Sequence, residues 1–327
     1  MVLPSGESPI SFSGIRTEFG TDGNNATGPV RLGQYRTTDS AFGNKNVGEL
    51  SNLPLDTGIS QSGSINVDSF HGKRLNTVVD LHETGSTNFN HNARTDRFLN
   101  GNYDIVGGYR SVLNESNDAA VGWQGGKKII IHINNTFSSN GASNQNDVAL
   151  TVGDGWPSET TFSIDLGSSA VVAGKGGNGG SGGAPENNAG NDGGDGTSAL
   201  GLESGMTYDA AAGAQIIAGG GGGGGGGGAS QDDFLDNNEA GGGGGGGGCG
   251  SPAGSGGGSG GAGGEGGDNG GLSAGGEGGT GGDNAEAEGG NGGDGGGPGS
   301  AGADGAGGRE GSGSGEGGSA GNTVVFF

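Results

Sequence analysis

The chain has few of the residues that usually stabilise a folded domain. Its 327 residues include one cysteine and eight prolines, and aromatic residues make up 5%. Cys249 has no second cysteine to pair with, so the fold must form without an intramolecular disulfide. The shortage of proline argues against a collagen-like triple helix, which is also built on glycine but needs abundant proline.

Basic residues and long apolar runs are scarce too. The chain has 13 Lys and Arg against 36 Asp and Glu, which gives a net charge of -23. After Lys175 the sequence contains a single basic residue, Arg309. Such an acidic surface repels phosphate backbones, so we expect no nucleic-acid partner, whereas contact with cations or basic surfaces stays open. No 18-residue apolar run occurs, and the first residues lack a basic segment followed by an apolar one. We therefore expect no membrane insertion and no signal peptide.

Glycine dominates what remains: the chain has 91 glycines, and most of them lie in 174–321. There it recurs with a period of three, as in GGNGGSGG and GGEGGTGG. The change in composition predicts four regions: an N-terminal attachment region over 1–82 with two similar small units, a β-rich domain over 83–173, a glycine-rich bundle over 174–321, and a C-terminal strand over 322–327 that packs back.

Three residues per turn is the geometry of the polyproline II helix, which has no internal hydrogen bonds. Several such helices can pair their N–H and C=O groups with one another if glycine on the facing sides lets the backbones approach. The uninterrupted runs Gly219–Gly228 and Gly241–Gly248 have glycine on all three faces, so we predict that they are central and that Gly-Gly-X stretches are outer. A disordered glycine linker is the alternative.

The N-terminal region contains an internal echo. Residues 10–15 (ISFSGI) and 65–70 (INVDSF) share the same alternation of apolar and polar residues, which predicts two short strands. Ser13 and Asp68 then stand where N-caps would begin one or two helical turns.

Between residues 127 and 173 the sequence is rich in β-forming residues separated by turn residues. The runs are 128–134, 147–152, 160–166 and 169–173, and Asn322–Phe327 is a further apolar strand. The predicted fold is therefore mostly β with a non-canonical part: small N-terminal α+β units, a β-domain, and a C-terminal polyglycine II helix bundle with surface loops.

Non-glycine segments interrupt the bundle at intervals and are its predicted loops: 184–189, 229–240, 249–255, 283–288 and 298–310. Because loops on a rigid base are common recognition sites, the sharpest candidate is 229–240, between the two all-glycine runs. Its apolar pair, Phe234 and Leu235, either contacts a partner or packs over the end of the bundle. The candidate contact residues are Asp232, Asp233, Phe234, Leu235, Asp236, Asn237, Asn284, Glu286, Glu288 and Arg309.

No catalytic or cofactor chemistry is indicated. The four histidines lack metal-ligand spacing, and glycine runs that match GxGxxG lack the helix and the later acidic residue of a dinucleotide site. Acidic residues of 229–240 either bind Ca²⁺ through their oxygens or are simply solvated. We predict a protein that is not an enzyme, with no cofactor and no metal.

One order of motifs resembles a known family. Val171-Val-Ala-Gly-Lys-Gly-Gly, then Ala199-Leu-Gly-Leu, then Gln215-Ile-Ile-Ala before a long glycine run resembles the tip adhesins of T-even-type bacteriophage long tail fibres. The stretch 9–20 with 32–36 is similar to virion structural proteins of tailed phages of aquatic bacteria.

The resemblance implies a tail-fibre tip adhesin in the virion, outside the cell, whose bundle loops bind a bacterial outer-membrane protein or surface glycan. It also implies that the N-terminal region attaches to a trimeric tail-fibre protein or another virion protein. The attachment candidates are Ile10, Phe12, Ile15, Arg16, Phe19, Ile65, Val67 and Phe70. Two alternatives remain: a structural virion protein of the neck, baseplate or capsid surface, and a bacterial surface filament that donates Val324–Phe327 to a neighbouring copy.

Overall fold

The structure is a computed structural model of the 327-residue chain. It describes residues 3–6, 8–19, 32, 58–59, 63–73, 76–81, 87–88, 103–107, 128–139, 148–152, 161–186, 188–203, 205–233, 236–284, 287–309 and 312–326.

Three parallel sheets wrap the centre of the molecule into a three-sided β-helix. The first sheet contains β10 (Thr207–Ala210), β7 (Thr161–Leu166), β4 (Lys128–Ile133), β1 (Thr77–Leu81) and β3 (Tyr103–Gly107), in that order. The second contains β11 (Gln215–Ile217), β8 (Val171–Ala173) and β5 (Thr136–Ser138), and the third β16 (Val324–Phe326), β9 (Ser198–Leu202), β6 (Val148–Thr151) and β2 (Thr87–Asn88). All pairs are parallel except β1 with β3. The chain visits the sheets in a fixed order, so each circuit adds one coil.

The core of the β-helix comes from alternate residues of these strands. In β4 the isoleucines at 129, 131 and 133 are fully buried against Phe137, Leu150 and Val172 from the other sheets. Side chains alternate across a strand, so the apolar face of β4 points inward. The prediction of a mostly β fold is confirmed.

The glycine-rich region leaves the β-helix twice at the same corner. Residues 174–197 connect β8 to β9, and residues 218–323 connect β11 to β16 one coil later. The stretch to which composition assigns the bundle thus contains three strands of the β-helix, β9, β10 and β11, because the chain returns to complete a coil. Residues 324–326 pair with Leu200–Leu202 of β9.

Within the described residues the glycine-rich region forms ten extended segments. They are PG1 (174–183), PG2 (189–197), PG3 (218–228), PG4 (241–250), PG5 (253–261), PG6 (263–271), PG7 (274–282), PG8 (289–297), PG9 (300–308) and PG10 (312–321). Every third N–H reaches the same neighbour: Gly177, Gly180 and Gly183 of PG1 donate to Gly220, Gly223 and Gly226 of PG3. This is the three-residue repeat of polyglycine II, as the period of the sequence predicts.

PG3 and PG4 each have six neighbours, and the other eight segments form a ring around them. The N–H groups of PG3 donate in turn to PG2, PG4 and PG9, and its C=O groups accept from PG1, PG8 and PG10. The N–H groups of PG4 donate in turn to PG1, PG6 and PG8, and its C=O groups accept from PG3, PG5 and PG7. Residues 219–228 and 241–248 are all buried. The prediction that the two all-glycine runs are central is confirmed.

Only glycine fits in these central segments. A Cβ atom added at Gly223 would overlap the carbonyl oxygen of Gly293, and one added at Gly246 would overlap that of Gly276. At Gly258, on the outer side of PG5, no atom lies within 4 Å of such a Cβ. Glycine is therefore a packing requirement in the centre and optional on parts of the rim.

The N-terminal echo marks helix starts and not strands, which corrects the prediction. Helix α1 covers Phe12–Phe19, and a 3-10 turn covers Val67–Phe70. The side chains of Ser11 and Asn66 accept from the N–H three residues on, each at 3.0 Å, so the caps lie two residues before Ser13 and Asp68. Both repeats have a polar residue at this cap position, and the cap outweighs the strand-like alternation.

Candidate functional site

The direction of the glycine segments sorts the turns between them into two ends. Neighbours in sequence run antiparallel: Gly220, Gly223 and Gly226 donate to residues 249, 246 and 243. PG1 starts at β8, so the odd-numbered segments run away from the β-helix and the even-numbered ones return. The far end therefore collects the connections that follow PG1, PG3, PG5, PG7 and PG9.

One predicted loop lies at the near end, and another requires correction. Residues 249–255 include a turn at the near end, where Ser251 contacts Ser138 of β5 with 2.9 Å between their hydroxyl oxygens. The stretch 298–310 contains a near-end turn at Pro298-Gly299 followed by PG9, so only its last residues reach the far end. Alanine in place of glycine on the outer faces of PG9 gave this segment the appearance of a loop.

Two hairpins pack together at the far end. β12 (Ala229–Asp233) pairs with β13 (Asp236–Ala240), and β14 (Asp283–Asn284) pairs with β15 (Ala287–Glu288). Small side chains let the hairpins approach, and Ala229, Ala240 and Ala287 form a buried cluster between them. Glycine segments lead directly into both hairpins, and the first hairpin stands on the two central segments PG3 and PG4. We call the two hairpins and Arg309 the far-end face.

Of the ten predicted contact residues, three have described side chains, and all three are exposed: Asn284, Glu288 and Arg309. The Asn284 amide donates to the carbonyl oxygen of Glu239 at 3.4 Å, which links the hairpins, and the N–H of Arg309 donates to the Glu288 carbonyl oxygen at 2.8 Å. Four more predicted contact residues have a described backbone in the first hairpin but no described side chain: Asp232, Asp233, Asp236 and Asn237. The last three, Phe234, Leu235 and Glu286, lie outside the described residues. Sequence reasoning missed Glu239 and Asp283, which are exposed on the same face.

The hairpins of the far-end face are acidic, and their described carboxylates make no side-chain hydrogen bonds or ion pairs with other described residues. Glu239, Asp283 and Glu288 have no hydrogen-bond or ion-pair partner for their side chains within the described residues. Asp283 and Glu288 are directly opposite each other in the β14–β15 pair. Like charges at opposite positions of an antiparallel pair destabilise the pairing.

Several polar side chains on the flanks of the bundle have a structural role instead. The carboxylates of Asp192, Asp195, Asp294 and Asp304 accept from backbone N–H groups of an adjacent segment at 2.7–2.9 Å, and Asn178, Asn269 and Asn291 do the same at 2.9–3.1 Å. They satisfy outer N–H groups that have no carbonyl opposite them. Part of the acidity of the chain therefore serves the fold.

The N-terminal attachment candidates divide by burial. Ile15 and Phe70 are fully buried with Leu3 and Ile59 in one core, and Ile10, Ile65 and Val67 are half-buried against it. The two repeats thus share a single core. Phe12 is 55% exposed and is accessible to a partner. The side chains of Arg16 and Phe19 lie outside the described residues.

No metal-binding cluster of three or more His, Cys, Asp or Glu occurs in the described part of the chain. Nor does any described helix combine the length and apolarity needed to cross a membrane. One part-buried pair lies on the β-helix, where His132 Nδ1 and Asp165 Oδ2 are 2.6 Å apart on adjacent strands.

Comparison with known proteins adds one structural similarity. No protein-family model and no curated protein matches the chain. Among solved structures, the chain is similar to one in the crystal structure of the gp37-gp38 adhesin tip complex of the bacteriophage S16 long tail fiber. The match has 22% identity, covers 82% of this chain and 83% of that chain, and has a TM-score of 0.27. A TM-score of this size does not establish a common fold.

Proposed function

We propose that the chain is the receptor-binding protein at the tip of a phage tail fibre, and that it binds a bacterial surface receptor through the far-end face. One observation carries the proposal: the β12–β13 hairpin stands on the two central segments, whose backbone groups are paired on all sides, and the β14–β15 hairpin packs against it. Loops held on a rigid base lose little conformational freedom on binding. This arrangement supports a binding role.

The N-terminal unit is the proposed attachment point to the rest of the virion, either a trimeric fibre protein or another structural protein. Phe12 supplies an exposed apolar contact on α1, and Ile15 and Phe70 keep the unit folded. The far-end loops meet an outer-membrane protein or a surface glycan.

The proposal is tested by exchanging residues 230–239 for a glycine-serine segment of equal length and measuring adsorption of the purified full chain to cells of the host bacterium. We expect adsorption to fall at least about tenfold, because loss of a central contact cluster removes most binding energy. The control replaces Leu272, which is exposed in the near-end turn between PG6 and PG7, with glycine and should leave adsorption unchanged. Undiminished adsorption of the 230–239 variant would refute the proposal.

A structural virion protein is the second candidate. It is favoured by the last coil of the β-helix, where β10, β11 and β16 each pair on one side only within the described residues. Such edges attract strands of other proteins. If virion assembly failed with a Tyr208→Pro variant while the 230–239 exchange left adsorption unchanged, this reading would replace the first. A filament that donates Val324–Phe327 is less favoured, because β16 pairs within its own chain.

A further inference from the structure

We propose that three asparagines on the outer faces of the bundle, Asn178, Asn269 and Asn291, are deamidation sites that the polyglycine II packing keeps from reacting. Each is exposed, and each is followed directly by glycine. The intact bundle blocks the reaction at these pairs. Once the bundle has opened, one of the two products, isoaspartate, prevents the segment from packing again.

Deamidation of an Asn-Gly pair needs no enzyme and consumes only water. The backbone nitrogen of the glycine attacks the side-chain carbonyl carbon of the asparagine and forms a C–N bond. The side-chain nitrogen leaves as ammonia and takes up the proton of the glycine N–H. Water then opens the five-membered imide at either of its two carbonyl carbons, which gives aspartate or isoaspartate. Glycine favours the attack because it has no Cβ to obstruct its own nitrogen.

In the Asn178-Gly179 pair, a neighbouring segment holds both reacting groups. The side-chain oxygen of Asn178 accepts from the N–H of Ser255 at 3.1 Å, and the N–H of Gly179 donates to the carbonyl oxygen of the same serine at 2.8 Å. PG1 and PG5 run parallel, so one residue of PG5 can make both bonds.

The other two pairs make the same two bonds with an antiparallel neighbour. There the donor and the acceptor lie two residues apart, and all four distances are 2.9 Å. The partners are Gly256 and Gly254 for Asn269-Gly270, and Gly281 and Gly279 for Asn291-Gly292. The arrangement is therefore a regular property of Asn-Gly in this bundle.

These bonds keep the attacking nitrogen away from its target. Ring closure requires the peptide group after the asparagine to rotate until its nitrogen lies against the side-chain carbonyl carbon. That rotation breaks both bonds and turns the following residues off the faces on which they pack, because every third residue must meet the same neighbour. The bundle must therefore open locally before the reaction can occur. Water is already available at these exposed side chains, so opening limits the rate.

The bundle itself shows which product it accepts. Aspartate occupies the same position in four other places, where it is followed by glycine and accepts a neighbouring N–H through Oδ1: Asp192, Asp195, Asp294 and Asp304. Conversion of asparagine to aspartate therefore keeps the acceptor and the packing. Isoaspartate carries the main chain through the former side chain and adds one backbone atom, which displaces the rest of the segment from the three-residue repeat.

The test follows deamidation in the full chain, in wild type and in the variant L272N/S273G. The variant adds an Asn-Gly pair in the exposed near-end turn between PG6 and PG7, where the N–H of residue 273 donates to no acceptor among the described residues. Native and guanidinium-unfolded protein is incubated at pH 8 and digested with glutamyl endopeptidase. Mass spectrometry with electron-based fragmentation then separates aspartate from isoaspartate. The three asparagines fall in three different peptides, 160–186, 266–277 and 289–310.

We expect Asn178, Asn269 and Asn291 to react at least about tenfold more slowly in the native chain than in the unfolded chain, because at least two hydrogen bonds must break at each. The pair added by L272N/S273G should react at nearly the same rate in both states. This pair lies in the same peptide as Asn269, so it is a matched control for digestion and detection. Equal rates at the three asparagines in both states, or protection of the added pair as strong as that of Asn269, would overturn the first part of the proposal.

The second part is tested by refolding protein that has deamidated in the unfolded state. Size-exclusion chromatography separates folded from unfolded chains, and isoaspartate at the three positions should be enriched in the unfolded fraction while aspartate is not. The variant N178D/N269D/N291D should melt like wild type, which separates the added charge from the added backbone atom. Equal isoaspartate content in the two fractions, or failure of the aspartate variant to fold, would contradict this part.

Discussion

A single methyl group placed in the centre of the bundle should be far more damaging than the same group on its rim. Gly223 and Gly258 are both glycines in polyglycine II segments, and each is changed to alanine. The Cβ at position 223 would overlap the Gly293 carbonyl oxygen, so PG8 must move away from PG3. At position 258 the Cβ meets open space.

The expected cost of Gly223→Ala has two parts. Overpacking a close-packed interior costs about 1–3 kcal/mol. Displacing PG8 also weakens the three hydrogen bonds that Gly290, Gly293 and Gly296 donate to PG3, each worth about 0.5–1.5 kcal/mol. Together the free energy of unfolding should fall by about 3–7 kcal/mol.

The corresponding change in melting temperature follows from the size of the chain. At about 2.1 cal/mol/K per residue, the unfolding entropy of 327 residues is about 0.7 kcal/mol/K, so the melting temperature should fall by about 4–10 °C. Gly258→Ala should raise it slightly, because alanine restricts the unfolded chain by about 0.4–1 kcal/mol. Calorimetry on both variants checks this, and equal melting temperatures for the two would refute the packing argument.

Three further predictions concern other parts of the chain. Ser11→Ala and Asn66→Ala should each lower the free energy of unfolding of the N-terminal unit by about 1 kcal/mol, because each removes a helix cap. Urea denaturation measures this, and destabilisation by only one of the two variants would contradict the shared core. Asp294→Ala should cost about 1 kcal/mol because the N–H of Gly278 loses its acceptor, and Asp294→Asn, which keeps an oxygen, should cost less in the same assay. Burial raises the pKa of the Cys249 thiol, so iodoacetamide at pH 8 should label the native protein at least about a hundredfold more slowly than the urea-unfolded protein; comparable rates would mean that the near end of PG4 opens readily.

The sequence allowed the bundle to be predicted well, because its rule is local. A period of three fixes which faces carry glycine, and glycine on all faces of Gly219–Gly228 requires neighbours on all sides. The β-helix was harder to predict. β10, with the sequence TYDA, is short and has no buried residue, and it is recognisable as a strand only through its parallel pairing with β7. The register in which a strand pairs with the strand of the previous coil leaves no local pattern in the sequence when a long insertion separates the two strands.

The far-end face shows the same limit. Loop composition singled out Asn284 and Glu288, which are indeed exposed. It did not reveal that the Asn284 amide bridges to the Glu239 backbone, or that Asp283 opposes Glu288. Both facts depend on how two segments distant in sequence meet above the bundle. The caps at Ser11 and Asn66 were missed for a different reason, since the alternation around them equally fits a strand.

The two departures from the β-helix restrict how the bundle can vary. The chain leaves at β11 and must return to β16 at the same corner, so the segments between them have to be even in number. An insertion or deletion can therefore add or remove only a pair of segments together with one far-end turn. Within a segment, a change of length that is not a multiple of three would rotate every following glycine off its contact face. The scaffold thus tolerates change in whole hairpins or in loop tips, and rejects most changes in between.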